Sequence, residues 1–190
     1  MLNKSLLHLA QGQKIGLLGG SFNPPHNGHL HIINLAIKHL KLHKVCCLVS
    51  PQNPLKDKNN MAPLSERIKQ ARKLFRGSCI EVTDIEVRLS TQYTIDTVKA
   101  LKNLYKGVRF VWIMGADNLI QINKWQNWEQ IFKALPIAIF DRPPYSLRAE
   151  KSVASQKFMQ YRLPSACATD LVNMGPPAWI YMRTGLNKTS

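Results

Sequence analysis

The string GGSFNPPHNGH, residues 19–29, concentrates glycine, proline and histidine in one short stretch. Gly19 and Gly20 lack side chains, so backbone N–H groups there can approach a ligand closely. His26 and His29 stand three residues apart, and within a helix this spacing places two side chains on the same face. The first turn of a helix attracts anions through its free N–H groups and its dipole. The string therefore predicts a phosphate-holding turn between a strand and a helix.

Other ligand sites can be weighed against this one. Neither G-x-G-x-x-G nor G-x-x-x-x-G-K-[ST], the two common nucleotide-binding fingerprints, occurs in the chain. A pair of histidines could bind zinc, but no third ligand lies nearby in the sequence, and zinc sites need at least three protein ligands. Two histidines alone would fit a structural or a functional role equally well. The complete string favours function, because each of its members has a task at one strand-to-helix turn.

The elements that would position this turn follow a regular alternation. Apolar runs predict strands at residues 15–18, 45–49, 80–82 with a continuation to Val87 left open, 108–114 and 137–140. Helix-like segments lie between them, at 29–40, at 63–75, from a capping Thr94 to about residue 105, after Asp117, and at 129–133. Strands alternating with helices, and apolar throughout, indicate an α/β fold. We expect a Rossmann-like, doubly wound parallel sheet with helices on both faces.

Unusual segments follow each predicted strand. They are residues 19–29, 51–56, 88–94, 115–118 and 141–145. In doubly wound sheets the ligand binds beyond the carboxyl ends of the strands, at the point where the strand order reverses. We therefore expect these loops to form a single site.

Charge is the most extreme property of the 190-residue chain: 26 lysines and arginines against 11 acidic residues give a net charge of +15. Such a balance favours anionic partners, which include nucleic acids, membrane surfaces and phosphorylated small molecules. The chain has no apolar stretch of the roughly 18 residues that a membrane span needs, and it lacks the basic and aromatic pattern of single-strand binders. A basic nucleic-acid-binding protein stays an alternative, but it would leave the glycines and histidines of the turn unexplained. We expect neither a nucleic-acid nor a membrane partner.

The four cysteines, Cys46, Cys47, Cys79 and Cys167, show no C-x-x-C spacing. Buried free thiols in a reducing compartment are the expected state. The first residues contain only a short apolar patch, which is a poor secretory signal. These features predict a cytoplasmic protein.

Residues 19–29 resemble the signature of the nucleotidyltransferase superfamily with the H-x-G-H motif. Later segments resemble, more narrowly, the bacterial nicotinate-nucleotide adenylyltransferases: PQNPLK at 51–56, Tyr93-Thr94, GADNL at 115–119, Trp125 with WEQIF at 128–132, and DRP at 141–143. The resemblance runs from about Lys14 to the last residue and implies one nucleotidyltransferase domain, 1–190. Asn23 departs from the aspartate that the family usually has, although both residues favour a turn. The family also closes its ATP site with a Ser/Thr-rich motif ending in arginine, and residues 188–190 resemble its beginning, so the resemblance implies a sequence truncated there.

The reaction that the resemblance implies is transfer of AMP from ATP to nicotinate mononucleotide, giving deamido-NAD and pyrophosphate in NAD biosynthesis. A phosphate oxygen attacks the α-phosphorus in line, so the enzyme contributes positioning and charge stabilisation rather than a nucleophile. Mg²⁺ would accompany the triphosphate, because the sequence shows no clustered carboxylates. Enzymes that prefer nicotinamide mononucleotide or phosphopantetheine are the alternatives. The oligomeric state is left open.

The resemblance also implies roles for individual residues, with His26 and His29 as the catalytic contacts to the ATP phosphates. The expected ATP-binding residues are Gly19, Gly20, Ser21, Phe22, His26, His29, Gly115 and Asp117. Those expected for the mononucleotide are Asn53, Lys56 and Arg142 at its phosphate, Trp125 stacked on its ring, and backbone N–H groups around Tyr93, Thr94 and Trp125 at its carboxylate. Two simpler roles stay open: Trp125 could be core packing, and Asp117 could cap a helix. For Trp128, packing is the favoured role.

Overall fold

The computed structural model describes residues 6–51 and 61–183, and within them the chain forms a seven-stranded parallel sheet of order β3-β2-β1-β4-β5-β7-β6. The strands are β1 (Lys14–Gly20), β2 (Lys44–Val49), β3 (Ile80–Thr83), β4 (Arg109–Gly115), β5 (Ile137–Phe140), β6 (Arg162–Leu163) and β7 (Trp179–Met182). The helices are α1 (Asn27–Leu40), α2 (Leu64–Leu74), α3 (Ile85–Arg88), α4 (Thr94–Leu104), α5 (Ala116–Gln121), α6 (Trp128–Ala134), α7 (Ser146–Glu150) and α8 (Val153–Lys157). Short 3₁₀ turns occur at Ile122–Lys124, Met159–Tyr161, Ser165–Cys167 and Leu171–Asn173.

The central strands are apolar because both of their faces are covered. In β4 every residue after Arg109 is buried. On one face of the sheet lies a core that includes Ile33 of α1 and Phe75 after α2. On the other face lies a core that includes Ile95 of α4 and Ile131 of α6. Each fully buried side chain of this size stabilises the fold by about 1.5–3 kcal/mol. The parallel sheet with helices on both faces confirms the predicted doubly wound α/β fold.

The structure resolves one open boundary, at the end of the third strand, and corrects the predicted cap of α4. Strand β3 ends at Thr83, where its pairing with Leu48 of β2 ends, and Val87 lies exposed in the single turn of α3. The apolar spacing of Ile85 and Val87 suggested a strand, but pairing stops before it reaches them. Helix α4 begins at Thr94 itself, and Tyr93 takes the extended cap position.

The region after β5 holds elements that the sequence analysis did not predict. Helices α7 and α8 and strands β6 and β7 all lie within residues 141–183. Strand β7 pairs in parallel with β5, through Ile137 opposite Trp179. The apolar run AWIYM after two prolines was the available signal. The last predicted strand is therefore not the edge of the sheet.

The cysteines are free thiols, as predicted, but only two are buried. Cys46 and Cys47 are buried on β2, whereas Cys79 and Cys167 are half-exposed, so the prediction of burial is wrong for the second pair. Burial raises the pKa of the Cys46 thiol to about 12. Across residues 6–51 and 61–183, no helix combines the length and apolar character that a membrane crossing requires.

Candidate active site

A cavity of about 570 Å³ opens at the carboxyl ends of β1 and β4. These two strands are neighbours, and the chain winds outward from them in opposite directions, which is where doubly wound folds bind ligands. The cavity is lined by residues from four of the five predicted segments, namely 19–29, 88–94, 115–118 and 141–145. The fifth segment, 51–56, lies outside the described residues from position 52 onward. The structure thus brings the predicted loops together wherever it describes them.

His26 and His29 lie side by side in this cavity. His26 is the cap residue of α1 and His29 is its third residue; their rings stack with centroids 3.7 Å apart and 24° between their planes. The backbone N–H of His26 donates to Nδ1 of His29 at 3.2 Å. Because Nδ1 accepts, the proton of a neutral His29 ring lies on Nε2. Nε2–H is then the group of His29 that can donate to a phosphate oxygen.

The surroundings of His26 favour its neutral form. Burial is the main cause that lowers its pKa, and the positive charge of Arg142 lowers it further, against a smaller opposing effect of Asp117. Gly28 gives the ring its space, since a Cβ atom at that position would lie 3.0 Å from two atoms of the imidazole. A side chain at position 28 would therefore require the ring of His26 to shift by a few tenths of an ångström.

Phe22 supports the histidine pair from below. It is buried and has φ 45°, a left-handed conformation that is uncommon for a residue with a bulky side chain. Its ring meets His29 edge-on at 5.0 Å between centroids, and Phe75 at 5.5 Å. Strained backbone of this kind persists only where surrounding contacts over-determine it. The side chain of Phe22 thus helps to hold His29, a role the sequence analysis did not assign.

Gly19 meets a packing requirement beside its predicted approach to a ligand. The indole of Trp112 fills the space next to it: a Cβ atom at Gly19 would lie 2.8 Å from the Trp112 ring. Trp112 is buried on β4 and meets Trp125 edge-on at 6.5 Å between centroids. Gly19 therefore lets a tryptophan form the back wall of the cavity.

Asp117 and Arg142 face each other in the cavity lining. Nη1 of Arg142 lies 3.6 Å from Oδ2 of Asp117. Gly115 takes the cap position of α5, and Asp117 is the second residue of the helix. The ligand-binding role of Asp117 stays a prediction.

Asp141 anchors the turn that carries Arg142. Its Oδ1 accepts hydrogen bonds from the backbone N–H of Arg142 at 2.8 Å, from Oγ of Ser146 at 2.6 Å and from the hydroxyl of Tyr181 at 2.8 Å. Burial and this carboxylate raise the pKa of Tyr181, so the phenol stays a donor. Strand β7 supplies this tyrosine, which is why the unpredicted strand matters to the site.

The residues expected at the pyridine ring also line the cavity. Tyr93 and Thr94 lie at the start of α4, and Trp125 follows the 3₁₀ turn Ile122–Lys124. The first turn of a helix leaves N–H groups without intrahelical partners, which fits the predicted carboxylate contact. Trp125 packs edge-on against Trp112 but is only half-buried, so part of its surface faces the cavity. Trp128 contacts Phe132 and Phe158 instead, as expected for packing.

Two buried charged side chains near the cavity escaped the sequence analysis. Glu86 lines the cavity and is 6% exposed. Burial raises its pKa to about 7, while a hydrogen bond with Ser50 opposes the shift. Arg67 of α2 is 1% exposed and donates hydrogen bonds to the backbone carbonyls of Ser21, after β1, and Ser50, after β2. Both residues sit in segments whose sequence looks like an ordinary polar helix or strand, so no local signal marked them.

Comparison with known proteins identifies the relatives of this chain. The family model described as "Cytidylyltransferase-like" matches residues 17–180. A protein of Caulobacter sp. (strain K31) named "Probable nicotinate-nucleotide adenylyltransferase" is 47% identical over 177 residues, which cover 93% of this chain and 94% of that protein. The chain belongs to the nicotinate-nucleotide adenylyltransferase family. A relative of the same name from Bradyrhizobium sp. (strain BTAi1) is 47% identical over 173 residues, covering 91% of this chain and 90% of that protein.

Solved structures agree with the fold of this adenylyltransferase-family chain. The Plasmodium falciparum nicotinic acid mononucleotide adenylyltransferase complexed with NaAD superposes with a TM-score of 0.70 at 15% identity, covering 93% of this chain and 77% of that one. The same enzyme complexed with APC gives 0.68 over the same shares. At this identity the likeness shows the shared fold. The expected residues Asn53 and Lys56, and the motif at 188–190, lie outside the described residues.

Proposed function

We propose that this protein is an adenylyltransferase that moves AMP from ATP to nicotinate mononucleotide and releases deamido-NAD and pyrophosphate. The observation that carries the proposal is the stacked His26–His29 pair at the start of α1, in the same cavity as Asp117, Arg142 and Trp125. Membership of the nicotinate-nucleotide adenylyltransferase family supports the choice of substrates.

At the donor side, the histidine pair and the first turn of α1 would hold the ATP phosphates. The backbone of residues 19–22 would run along the nucleotide, and Asp117, after Gly115, would accept hydrogen bonds from the ribose hydroxyls. A phosphate oxygen of the mononucleotide forms a bond to the α-phosphorus as the bond to the bridging oxygen of pyrophosphate breaks. N–H donors aimed at the phosphates stabilise the charge that develops on them. The His29 Nε2–H group is one such donor.

At the acceptor side, Arg142 would bind the mononucleotide phosphate, together with Lys56 and Asn53. Nη1 of Arg142 lies 3.6 Å from Oδ2 of Asp117. When both substrates bind, Arg142 would contact the phosphate of the mononucleotide and Asp117 the ribose of ATP. Trp125 would stack on the pyridine ring, and backbone N–H groups in the first turn of α4, near Tyr93 and Thr94, would donate to its carboxylate. The N–H of Trp125 itself donates to the carbonyl of Ile122 at 2.9 Å, so that residue would contribute its ring. Two parallel N–H donors suit a carboxylate, which accepts hydrogen bonds and donates none.

A divalent metal would arrive with the nucleotide. In the described part of the chain, no group of three or more His, Cys, Asp or Glu side chains could hold a metal ion. Among the residues that the structure describes, the carboxylates in the cavity lining are Glu86 and Asp117, and neither belongs to such a group. Mg²⁺ bound to the triphosphate is therefore part of the substrate in this proposal. The free thiols favour a reducing compartment, and the proposal places the reaction in the cytoplasm.

The deciding experiment compares possible acceptors in one assay. The protein is incubated with ATP, Mg²⁺ and nicotinate mononucleotide, nicotinamide mononucleotide or phosphopantetheine, and the product is identified by mass spectrometry. We expect deamido-NAD, with at least a ~100-fold higher kcat/KM for the nicotinate form, equivalent to ~2.7 kcal/mol. The amide would turn its NH₂ group against N–H donors and leave buried groups unpaired.

Two outcomes would contradict different parts of the proposal. Equal efficiency with both pyridine mononucleotides would rule out a carboxylate-selective site and leave adenylyl transfer intact. Formation of dephospho-coenzyme A, or no adenylated product from any acceptor, would overturn the assignment itself.

A further inference from the structure

The guanidinium of Arg67 joins three separate segments beneath the cavity. Nη1 donates to the carbonyl oxygens of Ser21 and Ser50, each at 2.7 Å. Nη2 donates to the carbonyl of Pro51 at 3.1 Å, and Nε to the carbonyl of Ala62 at 2.9 Å. One side chain thus ties the loop after β1 to the end of β2 and to the chain that enters α2.

The chemistry of this contact depends on arginine. Removing a cation from water costs several kcal/mol unless its protons are satisfied, and burial lowers the pKa of Arg67. Within residues 6–51 and 61–183, the partners of this guanidinium are all backbone carbonyls. A planar fork with five donors can reach four carbonyls at once, whereas the single nitrogen of lysine cannot. An apolar side chain at position 67 would leave these carbonyls without their donor.

Two of the four carbonyls that Arg67 holds belong to residues that line the cavity. Ser21 and Ser50 both line it, at the carboxyl ends of the paired strands β1 and β2, where the N–H of Ser50 donates to Gly20 at 2.9 Å. Ser21 precedes Phe22, whose ring supports His29. Ser50 is hydrogen-bonded to Glu86 on the far wall. The position of Arg67 therefore couples the histidine side of the cavity to the wall formed by α3.

We propose that Arg67 is a positioning residue for adenylyl transfer, which sets the spacing between the loop after β1 and residues 50–51 at the end of β2. This inference rests on the proposed function, in which the first loop holds the ATP phosphates and the cavity between them receives the acceptor. In-line transfer needs the attacking oxygen close to the phosphorus and aligned with it, and a shift of about 1 Å can cost ~100-fold in rate. Arg67 touches neither substrate in this proposal; it acts through the backbone that does.

The test compares Arg67→Lys with Arg72→Lys. Arg72 lies on the same helix and makes one long contact, from Nη2 to the carbonyl of Val82 at 3.3 Å, so it controls for loss of an arginine from α2. For Arg67→Lys we expect kcat per folded molecule to fall by about 30-fold or more while the KM for ATP changes less than threefold, because alignment is lost rather than binding. Backbone amide exchange should rise at residues 19–22 and 48–50 together. Arg72→Lys should match the wild type in both measurements.

A chemical-rescue experiment distinguishes loss of the guanidinium contacts from a general loss of stability. Arg67→Ala leaves a space the size of the lost side chain, and added guanidinium ion should restore kcat severalfold at a concentration too low to unfold the protein. The same ion should not change the rate of Arg72→Ala.

Several results would overturn the inference. They are a wild-type kcat per folded molecule in Arg67→Lys, a lower melting temperature as its sole effect, faster exchange confined to α2, or failure of both Arg67 variants to fold. A wild-type protein that forms no deamido-NAD would instead refute the proposed function, and amide exchange would still test whether Arg67 joins the two loops.

Discussion

Single residues in the histidine turn owe their arrangement to their neighbours. His29 receives a hydrogen bond on Nδ1 from the backbone of His26 and an edge contact from Phe22. Gly28 leaves the space that the ring of His26 occupies. The donor that the proposed reaction needs, Nε2–H of His29, is therefore oriented before any substrate binds, and preorganised donors of this kind account for much of enzymatic rate enhancement.

Replacing His29 by alanine tests that role directly. We expect turnover to fall by at least ~100-fold, as when one preorganised donor to a reacting group is removed. The fold should persist, because alanine is a good helix former and His29 is only half-buried. His31→Ala is the matched control, since His31 lies exposed on the same helix and should keep near-normal turnover. A folded His29→Ala protein with an unchanged rate would remove His29 from the mechanism.

Trp125 and Trp128 form a second matched pair. Trp125→Ala should raise the KM for the mononucleotide far more than the KM for ATP, since stacking on a ring contributes ~1–3 kcal/mol. Trp128 packs against Phe132 and Phe158, so Trp128→Ala should lower the free energy of unfolding without separating the two KM values. Steady-state kinetics with each substrate varied in turn decides the matter. Equal weakening of both substrates by Trp125→Ala would assign that residue to packing.

At the scale of elements, two serine hydroxyls at α8 have opposite effects on the stability of the protein. Ser152 caps the helix, and its Oγ accepts the backbone N–H of Ser155 at 3.2 Å. Ser155 is fully buried, and among the described residues its own hydroxyl has no hydrogen-bond partner. A buried polar group without a partner carries its full desolvation cost.

Alanine substitutions at these two serines should therefore change stability in opposite directions. Ser155→Ala should raise the free energy of unfolding by about 1 kcal/mol, because it removes an unsatisfied hydroxyl and improves helix propensity. Ser152→Ala should lower it by about 1 kcal/mol through loss of the cap. Urea unfolding of both variants measures the two values. A destabilised Ser155→Ala protein would show that the hydroxyl does have a partner in solution.

At the scale of the whole molecule, the burial of Glu86 makes the stability of the protein depend on pH. Its pKa is about 7 in the folded protein, against an ordinary value of 4.5. Between these two pH values the folded state keeps a proton that the unfolded state has lost, so stability from this group is present below about pH 4.5 and declines as the pH rises to about 7. The loss from this single group amounts to at most about 3 kcal/mol, by the usual conversion of pKa shifts.

Glu86→Gln should flatten this dependence. The amide is neutral at every pH and can keep a hydrogen bond to Ser50, so the variant should exceed the wild type in stability by a margin that grows from pH 4.5 to pH 7. Urea unfolding at pH values across this range measures the margin. Glu66→Gln, the same change on the exposed side of α2, should follow the wild-type profile. A constant difference between Glu86→Gln and the wild type would mean that Glu86 does not titrate in this window.

Features that depend on neighbouring residues could be predicted from the sequence better than the ends and pairing of strands and helices. The histidine turn, the apolar central strands and the order of the loops around the cavity could be predicted, because each depends on residues that are close together in the chain. The end of the third strand was left open as far as Val87, and Thr94 was placed in a cap position. Local spacing alone does not show where β-pairing stops or which residue first turns helical. Strand β6 could not be predicted, because its two residues, Arg162 and Leu163, form no pattern. Strand β7 was missed although its apolar run is as long as that of β5.

The sequence by itself determined the chemistry available to this protein: a glycine-rich turn, two histidines three residues apart, and the alternation that folds into a parallel sheet. Only the tertiary structure decided which distant groups share the site. It placed Trp112 in the space of Gly19, joined Asp141 to Tyr181, and buried Arg67 among carbonyls from three segments. The physical reason is that burial and hydrogen bonding are properties of the packed chain. A guanidinium on a polar helix becomes a clamp only when the folded sheet brings the ends of β1 and β2 within its reach.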